Sequence, residues 1–72
     1  MMLRLIPITA RVWLSNCRKF HVEKRGTKDA PYFVASEYNN GRIGNIVKSM
    51  ARSIEEARQA CENKISNFQL KN

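Results

Sequence analysis

The chain has 72 residues, 13 of them lysine or arginine against 6 acidic, for a formal net charge of +7. A chain this short buries only about 60% of the surface its unfolded form exposes, so a single domain over residues 1–72 is expected, too small to hold a core and a large catalytic cleft together. One histidine and two cysteines exclude a histidine-rich metal cluster and a dense disulfide scaffold, and a reduced, cytoplasmic setting is the simpler expectation.

Residues 1–18 are open to two readings. Ile8, Ala10, Val12 and Leu14 alternate as in a strand, with Thr9, Arg11 and Trp13 facing away. Ala10 with Leu14 and Trp13 with Cys17 also fit helical spacing, and Thr9 could cap such a helix. The strand is favoured. Arg4, Pro7 and Arg11 interrupt the apolar run of Met1 to Asn16, so no cleaved signal is expected. No run approaches the roughly 20 apolar residues of a membrane span, and no membrane partner is expected.

Residues 19–50 read as antiparallel strands. From Lys19 to Arg25, Phe20 and Val22 lie on one face, and Lys19, His21, Glu23 and Arg25 on the other. Gly26 to Pro31 is a polar loop. Pro31 to Tyr38 is rich in strand formers and runs into Asn40-Gly41, the favoured centre of a tight hairpin because both residues tolerate positive φ. In the returning stretch from Arg42 to Met50, Ile43, Ile46 and Val47 do not alternate cleanly, and Gly44 is a bulge candidate.

The spacing predicts a helix over 54–68. Ser53-x-x-Glu56 is a capping box, and Glu55 and Glu56 sit where the helix dipole favours negative charge. Ile54, Ala57, Cys61, Ile65 and Phe68 form one apolar stripe. The fold class is therefore α+β: a three- or four-stranded antiparallel sheet with one C-terminal helix packed on one face.

Little in the chain supports catalysis, and an enzyme is not expected. His21 is the only histidine, and Cys17 and Cys61 are too far apart for a paired zinc motif. No phosphate-cradling glycine loop is present. Glu55 and Glu56, about 100° apart around a helix, suit the cap better than acid–base work. No catalytic residue, metal or cofactor is expected.

The charge is unevenly placed. Residues 1–52 hold ten basic and three acidic groups, an excess of seven, whereas residues 53–72 hold three of each. A field of one sign on part of a small domain attracts polyanions. With Phe20 and Val22 under the helix, Lys19, His21 and Arg25 gather on the open sheet face, with Lys24 at its rim. Lys28 and Arg42 extend the positive region through the two loops. Arg11 and Trp13 join it if residues 8–14 form a strand. These groups would neutralise phosphates, a strand ribbon can enter the DNA major groove, and Tyr32 or Tyr38 could stack on bases of a single strand.

Three family resemblances follow from this strand–strand–strand–helix order. Phe20-His21-Val22, Tyr32-Phe33-Val34, the Asn40-Gly41 turn and Ser53-Ile54-Glu55-Glu56-Ala57 resemble the arm-site DNA-binding domain of phage and transposon tyrosine integrases. That resemblance implies a sheet read into the major groove, with Lys19, His21, Arg25 and Arg42 facing DNA. With no integrase catalytic domain following, it implies a free-standing phage or mobile-element protein. Phe20-His21-Val22, Gly26, Ala30-Pro31, Phe33, Ser53, Ala57 and Ala60 are similar to the double-stranded RNA-binding domain. That family opens its last helix with phosphate-gripping lysines, and Ile54, Glu55 and Glu56 stand here instead. Ser53-Ile54-Glu55-Glu56-Ala57 also resembles the helix start of HicB-type antitoxins.

The expectation is a small basic accessory or regulatory protein that binds nucleic acid, DNA more than RNA. The alternative is a protein-interaction module or small inhibitor that docks its basic face on an acidic partner. A homodimer pairing through its first strand is a third reading.

Overall fold

A computed structural model describes residues 3–70, with side chains over residues 3–66. Five strands follow in chain order: β1 (Leu5–Thr9), β2 (Val12–Ser15), β3 (Phe20–Gly26), β4 (Pro31–Asn39) and β5 (Arg42–Ala51). Helix α1 (Ile54–Leu70) ends the chain's described part. Each strand pairs antiparallel with the next, so the sheet order is the chain order. The α+β class is as expected, but the sheet has five strands rather than three or four.

The extra strand comes from residues 3–18, which form a hairpin rather than one strand or a helix. The Thr9 hydroxyl accepts the Arg11 amide at 3.1 Å, a local bond that turns the chain before a helix can propagate. Pro7 falls in β1, an edge strand, the position at which a sheet tolerates proline's missing N–H. The next turn is held by Ser15. Its buried hydroxyl accepts the amides of Lys19 at 3.1 Å and Phe20 at 3.0 Å.

The β4–β5 hairpin follows expectation. Asn40 and Gly41 have φ of 51° and 81°, the two positive values a two-residue turn of matching twist requires. Past that turn β5 departs from regular pairing. Between the Asn39–Arg42 and Phe33–Ala51 pairs, β4 advances six residues and β5 nine. Three extra residues must therefore bulge out of β5, which explains why its apolar positions do not alternate. Bulges also spoil this exposed edge as a template for another strand.

Cross-strand partners define the two faces. Pro7, Trp13, Val22, Ala35 and Lys48 form one ladder across all five strands, and Lys24, Phe33 and Ala51 lie on the same side. Helix α1 covers this side, packing on β3, β4 and β5. Leu3, Phe20, Val22, Ala35, Ala51, Ala57 and Cys61 are buried there. Small residues at four of those seven positions let the helix approach the sheet closely. Trp13 meets Phe33 edge-on at 5.7 Å between ring centres, a favourable aromatic geometry.

The helix cap forms much as the sequence indicates. The Ser53 hydroxyl accepts the Glu56 amide at 3.1 Å. The Glu56 carboxylate takes the Arg52 amide at 3.4 Å, one residue earlier than in a standard capping box. The stripe position Phe68 lies outside the residues whose side chains are described.

The N-terminal segment is tied to the helix by charge. The Glu62 carboxylate accepts the Leu3 amide at 3.0 Å, and the Arg58 guanidinium donates to the Leu3 carbonyl at 3.3 Å. Arg58 also bonds Glu55 at 2.6 Å and Glu62 at 2.9 Å. These contacts, led by the Glu55 hydrogen bond, raise the Arg58 pKa and keep it charged. The Leu3 amide and then Arg58 hold the Glu62 carboxyl below its ordinary range.

Candidate nucleic-acid interface

The face away from α1 follows from the same pairings. Ile6, Leu14, His21, Ser36 and Ile46 make a continuous row across β1 to β5. On one side of it lie Tyr38 and Ile43, and on the other Val12, Glu23 and Val34, then Arg25 and Tyr32. His21 stacks on Tyr38, with ring centres 5.9 Å apart and planes within 17°. Several of the apolar residues are open to solvent: Ile6 is 48% exposed, Ile43 57% and Ile46 62%. The middle of this face is apolar and aromatic, not cationic.

The cations stand at the two ends of the sheet. At one end the β1–β2 turn and the β3–β4 loop enclose a concavity of about 390 Å³ lined by Arg11, Lys24, Arg25 and Lys28. The loop turns at Gly26, whose φ of +88° leaves no room for a side chain, because a Cβ there would strike the Ala30 carbonyl oxygen. The Thr27 hydroxyl fixes the loop by accepting the Ala30 amide at 3.1 Å. Arg52 follows Ala51 at this end.

At the other end are Arg4, Arg18, Lys19 and Arg42. The Lys19 carbonyl accepts the Tyr38 amide at 2.8 Å, Arg42 pairs with Asn39 across the hairpin, and Arg4 is bonded through its backbone to Asn16. The seven residues of β3 separate the two ends by roughly 20 Å at about 3.3 Å per residue.

Ion pairing sharpens the contrast. Of the acids, Glu37, Glu55, Glu56 and Glu62 pair with Lys64, Arg58 and Lys48 on the helix side, and Glu23 pairs with Arg25 at 3.1 Å. Among the described residues, Arg4, Arg11, Arg18, Lys19, Lys24, Lys28, Arg42 and Arg52 make no ion pair. The acids are engaged mostly on the covered side, and the positive excess is left at the sheet ends.

The site residues expected from the sequence are thus divided. Lys19 and Arg42 lie at one end, and Arg11, Arg25 and Lys28 at the other, with His21 between them. Arg42 is not on the open face as expected: its partner Asn39 alternates with Tyr38, so the pair projects to the helix-covered side at the tip of the hairpin. Trp13 is not on this face. It pairs with Val22 and packs on Phe33 on the helix-covered side: the alternation of this segment is present, but its apolar set, Ile6, Val12 and Leu14, points away from the helix, and Trp13 with Pro7 points towards it. Val12 and Leu14 occupy the open face of β2 instead. Part of the exposed apolar row shows in the sequence as the alternation that includes Val12 and Leu14, but nothing there marks which side the helix covers, and the bulges of β5 conceal Ile43 and Ile46.

Among the described residues, no group of three or more His, Cys, Asp or Glu side chains could hold a metal ion, and no helix is long and apolar enough to cross a membrane. Cys17 is exposed and Cys61 buried, both as free thiols. Burial, with Cys17 adding to it, pushes the Cys61 thiol up to about 11. Comparison with protein-family models, curated proteins and solved structures found no match.

Proposed function

We propose that this protein binds nucleic acid through its open sheet face, as a small accessory or regulatory protein that performs no catalysis. A cytoplasmic location, a phage or mobile-element origin and a preference for DNA over RNA go with this reading. What supports it is the separation of charge. Among the described residues, eight cations without acidic partners stand in two groups at the ends of the sheet, while Glu37, Glu55, Glu56 and Glu62 are paired on the helix side. A polyanion lying across the sheet would meet both groups at once and release counterions from each.

Fluorescence anisotropy with labelled oligonucleotides at two salt concentrations tests this. Affinity is expected to fall steeply with salt. Lys19→Ala, Arg25→Ala and Arg42→Ala should each weaken binding and reduce the salt slope by about one. Absence of binding to any oligonucleotide at low salt would overturn the proposal.

A second reading draws on the exposed side chains of Ile43, Ile46 and Met50. An acidic protein partner with an apolar centre would suit the same face. It predicts a defined complex that persists after nuclease treatment.

A further inference from the structure

We infer that the nucleic acid taken by the open face is single-stranded, a conclusion that rests on the nucleic-acid reading above and narrows it. Between the two cationic ends lies a surface of a different kind. Its central row contains Ile6, Leu14 and Ile46 with His21 and Ser36, and Tyr38 stands beside it, stacked on His21. Ile46 is 62% exposed.

A duplex has little to offer such a surface. Its outward groups are phosphates and polar base edges. Pressing isoleucines against them would strip water from donors and acceptors without replacing the lost hydrogen bonds. A single strand differs, because its bases turn out and present flat apolar faces. Those faces stack on aromatic side chains while the phosphates follow cationic groups. The open face supplies both elements in the needed order: cations at Arg18 and Lys19 at one end, an aromatic and apolar middle, then Arg11, Arg25 and Lys28 around the concavity at the other.

Tyr38 is the residue that separates this inference from a purely electrostatic one. It carries no charge, so a surface that only neutralises phosphates would not need it. Base stacking would.

The test compares one labelled strand of about 12 nucleotides, within the span such grooves cover, with its own duplex at the same salt concentration. The single strand is expected to bind at least about tenfold more tightly. Tyr38→Leu should weaken single-strand binding by about five- to a hundredfold, the range for losing one base–aromatic stack. Tyr38→Phe should retain it, which shows that loss in the leucine variant is loss of the ring rather than of the fold. A duplex bound as tightly as the strand, or an unchanged affinity in Tyr38→Leu, overturns the inference and leaves the nucleic-acid reading standing. If neither form binds, both fall.

Discussion

On the sheet face covered by α1, Ala35, Ala51, Ala57 and Cys61 are fully buried, and the neighbouring acids are paired with cations. On the open face Ile43 and Ile46 are more than half exposed, and most cations at the sheet ends are unpaired. Burial of apolar area stabilises a fold at about 25 cal/mol per Å², so isoleucines left in water forgo stability in a chain whose size already makes it marginal. The contrast assigns cohesion to the covered face, and contact through the open face is what the proposed function adds.

The strongest challenge to that division lies in the core. Phe20 is 5% exposed, and Phe20→Ala is expected to cost about 3–5 kcal/mol, close to the whole stability of a small domain. Ile46→Ala on the other face should change stability by less than about 0.5 kcal/mol. Urea midpoints measure both. Similar losses in the two variants would mean that the open face is structural.

Next in size is Ser15→Ala. The hydroxyl takes two amides, from Lys19 and Phe20, and is itself buried. Leaving a buried amide unpaired costs about 1–3 kcal/mol, so the variant should melt measurably lower. Because the turn also carries Arg18 and Lys19, nucleic-acid affinity should fall with it.

Much of the covered face was legible in the sequence. The capping box and the three- and four-residue spacing of Ile54, Ala57, Cys61 and Ile65 locate α1, and the alternation from Lys19 to Arg25 assigns both faces of β3. Asn40-Gly41 names its own turn. The open face was harder to read because its pattern is broken by local geometry. A turn made by one threonine hydroxyl divides residues 5–15 into two strands, and no periodicity marks such a turn. Three bulged residues in β5 hide which of its isoleucines point outward. The cations were visible as a count, but their division into two ends depends on strand register, which charge alone does not give.

A smaller, pH-dependent effect tests the tie between Leu3 and α1. The Leu3 amide and Arg58 lower the Glu62 pKa, and Arg58 lowers that of Glu55. A carboxyl lowered in the folded state contributes stability that is fully present above its unfolded pKa, about 4.3, and is lost as pH falls through the folded value. Thermal unfolding should therefore move to lower temperature as the solution is acidified through the carboxylate range. Glu62→Gln should reduce that dependence to the share of Glu55. An unchanged pH profile would mean that the Leu3 contact contributes nothing.

The smallest expected effect concerns Arg18, which adopts a φ of 60°. Left-handed backbone costs most residues about 1–2 kcal/mol, and glycine almost none. Arg18→Gly should therefore stabilise the turn, by up to about 1 kcal/mol once the greater freedom of glycine in the unfolded chain is counted. Stability and binding should then move in opposite directions. The glycine variant should melt higher yet bind nucleic acid more weakly, with the salt slope reduced by about one. A variant that gained stability and kept full affinity would show that the arginine contributes no phosphate contact, and would remove it from the cationic end it shares with Lys19 and Arg42.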